Sequence, residues 1–231
     1  MMDMLTRMKS TWILFLGGLF LLTGCFEIEE RVFLRRDGSG TFTLTLDMGQ
    51  MKEMMKAMGV SPDQLGDEDP FAELQADFDE QAEKLEALQG VSNARLGVNK
   101  EAYVISMMFD FKDVAALNRG VNEVFKNEED PDDTYHEYYR YSSGKFERTD
   151  YFRQAADVKA EMEEAQAESG MSVESLFADM QYRTVFEFEQ PIKSITNEDA
   201  TLSADKKTVT FQYLFFDPEH EGRNPKNVIR F

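Results

Sequence analysis

The chain has 231 residues, 25 Lys+Arg against 44 Asp+Glu, a formal net charge of −19, one Cys, two His and one Trp. A 42% hydrophobic content with 19 Phe excludes general disorder, because disordered chains lack the apolar surface needed to fold. The acidity argues against nucleic acid, which is held through Lys and Arg on phosphates. Two His and one Cys leave almost nothing for a transition-metal centre or a thiol nucleophile, and no cofactor is expected.

Residues 1–10 carry Arg7 and Lys9 ahead of the apolar run Trp12–Leu22. As a helix such a run spans about 16 Å, short of the ~20 residues that cross a bilayer. A basic start followed by a short apolar stretch reads as a signal peptide covering residues 1–24. The run closes on Leu22-Thr23-Gly24-Cys25, which resembles the lipobox of bacterial lipoproteins. That resemblance implies cleavage before Cys25, a diacylglyceryl group on its sulfur and acylation of the new amino terminus. It makes Leu22, Thr23 and Gly24 the cleavage motif and Cys25 the lipid attachment site. In this family an Asp after the Cys favours inner-membrane retention. Phe26 stands there instead, so the resemblance implies an outer-membrane address in the cell envelope.

Cys25 is the only cysteine, so no intrachain disulfide can form, and lipidation would occupy what is otherwise a lone thiol. Two or more acyl chains anchor stably where one binds marginally. Removing residues 1–24 takes away Asp3, Arg7 and Lys9, a net +1, so −19 becomes −20; Trp12, the single tryptophan, goes with them.

Residues 25–231 read as one α+β domain, an antiparallel sheet of several hairpins with amphipathic helices packed on it. Ile28–Leu34 and the alternating Thr41–Leu46 flank Asp37-Gly38-Ser39-Gly40, a hairpin turn. Burial favours Leu34 opposite Leu44 and Val32 opposite Leu46, with Gly40 left-handed. A Met-rich helix follows (Met48, Met51, Met55, Met58) and stops at Gly59. Ser61-Pro62-Asp63-Gln64 carries a helix-capping signal. A second helix after Asp69-Pro70 bears the stripe Phe71, Leu74, Phe78, Leu85 and Leu88, ending at Gly90.

Residues 91–97 and 102–111 pair around Asn99-Lys100, with Tyr103, Ile105, Met107, Phe109 and Phe111 on one face. Ala102, Val104 and Met108 make the other face apolar as well, the mark of a strand covered twice. Asp113 caps a helix to about Lys126 that buries Val114, Leu117, Val121 and Val124. The acidic loop 127–133 fails the EF-hand pattern because Tyr135 stands where the sharp-turn Gly belongs. Residues 135–142 and 145–152 form a Tyr-rich hairpin around Ser143-Gly144.

Residues 153–169 are helical by propensity with a thin apolar stripe, and a short helix carrying Val173, Leu176, Phe177 and Met180 follows. Tyr182, Thr184, Phe186 and Phe188 alternate as a strand that Pro191 stops or places at an edge. Asp205-Lys206 turns the chain into Thr208–Phe216, and Val228–Phe231 adds a last short strand.

The DGSG hairpin soon after Cys25, Phe186–Pro191, Asn197 and Asp205–Phe211 also resemble the LppM-like group of envelope lipoproteins. That resemblance implies an α+β domain that handles lipids; the helical stretch 153–180 departs from the group's pattern, and no ligand residue is carried over. His136 and His220 have no Ser, Cys or second His at catalytic or ligand spacing, and no nucleophile elbow, P-loop or zincin motif occurs. The expected role is therefore a non-catalytic binding or structural module, tethered to the membrane, whose partner is a lipid or other apolar ligand. The alternatives are a scaffold docking a membrane protein, through a patch such as Tyr213–Phe216, and an unrecognised hydrolase.

Overall fold

Apolar side chains at every second position, Val32 and Leu34 in one run and Phe42, Leu44 and Leu46 in the next, produce the first strand pair of the computed structural model, which describes residues 26–49, 52, 79–126, 135–142, 144–149, 180–214 and 223–231. Strands β1 (Glu27–Leu34) and β2 (Gly40–Asp47) are antiparallel. Their register corrects the expected one: Leu34 faces Gly40, Val32 faces Phe42 and Glu30 faces Leu44. The two registers differ by an even number of residues, so both keep the same side chains on the inner face, and burial alone does not choose between them. The turn does. Arg35 N–H donates to Ser39 O (2.8 Å), Gly38 N–H donates to Arg35 O (3.1 Å), and the left-handed residue is Gly38 (φ +87°) rather than Gly40. Gly40 lies inside β2, where a Cβ would come within 1.9 Å of the Phe33 carbonyl oxygen.

Seven strands form the large sheet in the order β3-β4-β2-β1-β7-β9-β8, with β3 Val91–Asn99, β4 Val104–Phe111, β7 Gln181–Phe188, β8 Thr201–Leu202 and β9 Thr208–Leu214. The α+β class stands, but the sheet is mixed. β1 and β7 run parallel from Glu27↔Gln181 to Leu34↔Phe188. β7 is therefore central, between β1 and β9, and Pro191 follows its end instead of marking an edge. A second sheet, order β10-β6-β5, is antiparallel and built from β5 (Tyr139–Ser142), β6 (Lys145–Arg148) and β10 (Asn227–Arg230). β5 and β6 are antiparallel with Ser142 opposite Lys145, and Gly144 of the expected turn has φ +77°; Ser143 lies outside the described residues.

Helix α1 (Val114–Val124) is capped by Asp113, whose carboxylate accepts from Ala116 N–H at 2.7 Å. It buries Val114, Leu117 and Val121 against the large sheet, with Val124 half-buried. Residues 79–86 are helical and Leu85 is fully buried; the helix ends before Leu88, and a turn over residues 87–90 closes on Gly90 (φ +84°). β4 alternates buried and half-buried residues, so it has one inner face (Ile105, Met107, Phe109, Phe111) rather than two. Met48 is half-buried and its N–H donates to Tyr103 O at 2.9 Å. Met51, Met55, Met58, Phe71, Leu74, Phe78, the acidic loop 127–133, the helices expected over 153–179, and Phe215-Phe216 lie outside the described residues.

The core fills the space between the large sheet and a layer made of α1 and the small sheet. Phe42 and Phe109 stack with centroids 5.0 Å apart; Phe146 of β6 meets Tyr139, Phe186 and Phe188 at 5.6, 5.7 and 5.6 Å. On the opposite face of β1 and β7, Arg183 pairs with Glu27 (2.8 Å) and Glu29, and Arg31 pairs with Glu29 (2.8 Å) and Glu187.

Candidate functional site

Glu30 has the same parity as Ile28, Val32 and Leu34, so the alternation that buries β1's apolar side chains carries a carboxylate inward with them. Arg148 shares its parity with Phe146 and enters from the opposite layer. The two meet as a bidentate pair, Arg148 Nε to Glu30 Oε1 and Nη2 to Oε2, each 3.2 Å, and both side chains are 0% exposed. Tyr139 Oη donates to Glu30 Oε1 and Tyr182 Oη donates to Oε2. The guanidinium carbon lies 5.3 Å from the Tyr138 ring centroid and 5.2 Å from that of Tyr139.

Taking a charge out of water is expensive unless its partners replace the lost hydration. Here four donors converge on one carboxylate, and two rings flank the cation. Burial, and then the negative charge of Glu30, push the Tyr139 and Tyr182 phenols well above their ordinary value. Burial draws the Arg148 guanidinium down, but Glu30 together with Tyr139 and Tyr182 outweighs it and leaves the group above its ordinary value. The cluster thus holds one fixed protonation pattern on its phenols and guanidinium at neutral pH. It ties β1 and β7 of the large sheet to β5 and β6 of the small one.

Alongside, α1 grips the chain that enters β5. Asn118 Nδ2 donates to Tyr139 O (2.8 Å) while its Oδ1 accepts from Tyr139 N–H (2.9 Å). One helical turn on, Asn122 does the same to His136, both bonds at 2.7 Å. These two amides replace the neighbouring strand that the edge of β5 lacks.

The start of α1 and β5 bound an open cleft of about 510 Å³. Val114, Ala115 and the rings of Tyr135 and Tyr141 supply apolar surface; Tyr135 is 61% exposed. Arg140, Glu137 and Lys145 supply charge, already ordered by ion pairs: Arg140–Glu137 at 2.6 Å, and Arg140 and Lys145 to Glu147 at 3.4 and 2.8 Å. Tyr139 belongs to both features, lining the cleft while its hydroxyl reaches Glu30. Such a lining suits a small amphipathic molecule.

Leu22, Thr23, Gly24 and Cys25, the expected processing and lipid-attachment residues, lie outside the described residues, as does His220. His136 is held through its backbone by Asn122, and its ring packs edge-on to Tyr138. Among the described residues no group of three His, Cys, Asp or Glu side chains could hold a metal ion, and no helix is long and apolar enough to cross a membrane. Glu30 and Arg148 are absent from the sequence-based site residues; Glu30 left a signal, a charge at an inward position among Ile28, Val32 and Leu34, whereas Arg148 shares its face of β6 with Phe146 alone.

No family model matches the chain, and no curated protein matches it. Among solved structures, the chain is similar to the NMR structure of the folded domain of the Mycobacterium tuberculosis LppM protein, with 9% sequence identity over 89% of this chain and 90% of that one and a TM-score of 0.41.

Proposed function

We propose that this chain is a lipid-anchored protein of the bacterial cell envelope whose folded domain is a non-catalytic binding module. The observation that carries the reading is Leu22-Thr23-Gly24-Cys25 at the end of a short apolar run. The domain's place in that scheme is supported by Phe26, which is 6% exposed and lies next to the Cys in the chain. The binding role rests on the cleft beside α1, where aromatic rings and ion-paired side chains converge on a ligand-sized space. Its ligand is a small amphipathic molecule of the envelope.

Metabolic labelling with an alkyne fatty acid tests the anchor. Wild-type protein incorporates the label, Cys25→Ala does not, and intact mass gives a chain that begins at a diacylglyceryl-modified Cys25. A free thiol, or a chain still starting at Met1, overturns the proposal. Extraction of purified wild-type protein followed by lipid mass spectrometry tests the ligand, with Ala115→Trp, which fills the cleft, as the control that loses it. An empty extract from wild type removes the binding role.

A further inference from the structure

We infer that the domain stands on the bilayer by one defined end, where β1 starts, and presents its cleft away from the membrane to the aqueous space; this rests on the lipid anchor at Cys25 proposed above. The chain belongs to the sheet from its first described residue. Phe26 packs with Met180, Tyr182, Phe211 and Tyr213, and its carbonyl accepts from Gln181 N–H at 2.7 Å. Glu27 is then paired on both sides, with Asp47 of β2 and Gln181 of β7. A flexible tether gains at most about 3.6 Å of reach per residue, and one peptide link of about 3.8 Å separates the Cα of Cys25 from that of Phe26. An acylated Cys25 therefore has no slack with which to hold the domain away from the headgroups.

The register shows which other described residues lie at that end. Asp47 pairs with Val104, Val104 with Asn99, and Gln181 with Leu214, so the 100–103 turn and the end of β9 share the level of Glu27. At the other end lie the 35–39 turn and Phe111, opposite Gly40. The eight residues of β1 carry the chain from one level to the other, about 23 Å. The cleft belongs to the far level. α1 begins three residues after Phe111, and the Tyr141 hydroxyl of the cleft donates to Arg36 O in the 35–39 turn at 3.2 Å. Its occupant arrives from water rather than sideways from the host leaflet. The processed chain, whose charge goes from −19 to −20 as the net +1 of residues 1–24 is removed, repels anionic headgroups, so the tether imposes the orientation, and added salt leaves it unchanged.

Because lipidation occupies Cys25, a second cysteine can be labelled selectively. Lys100→Cys places a fluorophore on the near turn and Arg36→Cys one on the far turn; both positions are exposed. The acylated full mature protein is reconstituted into phosphatidylcholine vesicles carrying a headgroup nitroxide quencher. The expected result is severalfold stronger quenching at position 100 than at 36, insensitive to salt, and equalised when a ten-residue Gly/Ser linker is inserted after Cys25. Co-flotation with equal quenching at both positions, or stronger quenching at 36, overturns the orientation while leaving the anchor intact. If neither variant floats with vesicles, the anchor fails and the orientation falls with it. Circular dichroism matching wild type confirms that each labelled variant is folded.

Discussion

Replacing Arg148 by methionine strips the guanidinium from Glu30 while keeping much of the apolar volume. The carboxylate is 0% exposed and would retain two phenol donors but no counter-charge. It is then left buried without the guanidinium that neutralised it. Breaking a fully buried pair from one side costs about 3–5 kcal/mol, against a total stability of about 5–15 kcal/mol for a domain.

Removing both charges is a different perturbation. Glu30→Leu with Arg148→Met abolishes the unpaired charge but takes the Glu30 acceptor from the Tyr139 and Tyr182 hydroxyls, each at about 1–3 kcal/mol. Adding Tyr139→Phe and Tyr182→Phe removes those too and should return stability close to wild type, since an apolar replacement of matching shape is often neutral or better. Urea denaturation of the four-member series, with slopes checked for constancy, should place Arg148→Met lowest and the fourfold variant highest among the mutants. The reasoning is refuted if Arg148→Met alone costs under about 1 kcal/mol, or if the fourfold variant is the least stable.

Three further outcomes follow from the same geometry. Tyr139, Tyr182 and Tyr213 have phenols raised by burial, so above their ordinary value of about 10 the unfolded chain releases protons that the folded chain keeps; stability is full below that pH and falls as pH rises by about 1.4 kcal/mol per unit per phenol, which alkaline urea titrations check, with Tyr139→Phe flattening the slope by one proton. Gly120→Ala should destabilise although alanine favours helix by about 1 kcal/mol, because its Cβ would lie 2.4 Å from Phe109 Cζ and overpacking costs about 1–3 kcal/mol; a melting temperature equal to or above wild type contradicts this. Asn118→Leu leaves the buried N–H and C=O of Tyr139 without their partner, a loss of about 2–4 kcal/mol that amide hydrogen exchange should localise to β5.

Elements whose signal lies within a few residues were legible in the sequence: the alternation of β1, β2, β4 and β7, the Asp113 cap, and the glycine turns at Gly90 and Gly144. Period-two and period-three-to-four patterns record which side of an element meets the core, and capping and turn chemistry is local. The same logic exposes Glu30 as an inward-facing charge, yet parity does not name its partner. What it cannot convey is how distant segments meet. Burial allowed more than one β1–β2 register of equal parity, and the turn around Gly38 selected the other one. The parallel pairing of β1 with β7, the separate sheet of β5, β6 and β10, and the meeting of Glu30 with Arg148 join segments remote in sequence. Those are decided by which combination of faces closes the core while satisfying every buried charge, a condition on the whole chain at once. By contrast, the expected anchor at Cys25 is read from contiguous residues alone, whereas the end of the domain that would rest on the membrane emerges only when Phe26 is seen locked into the sheet.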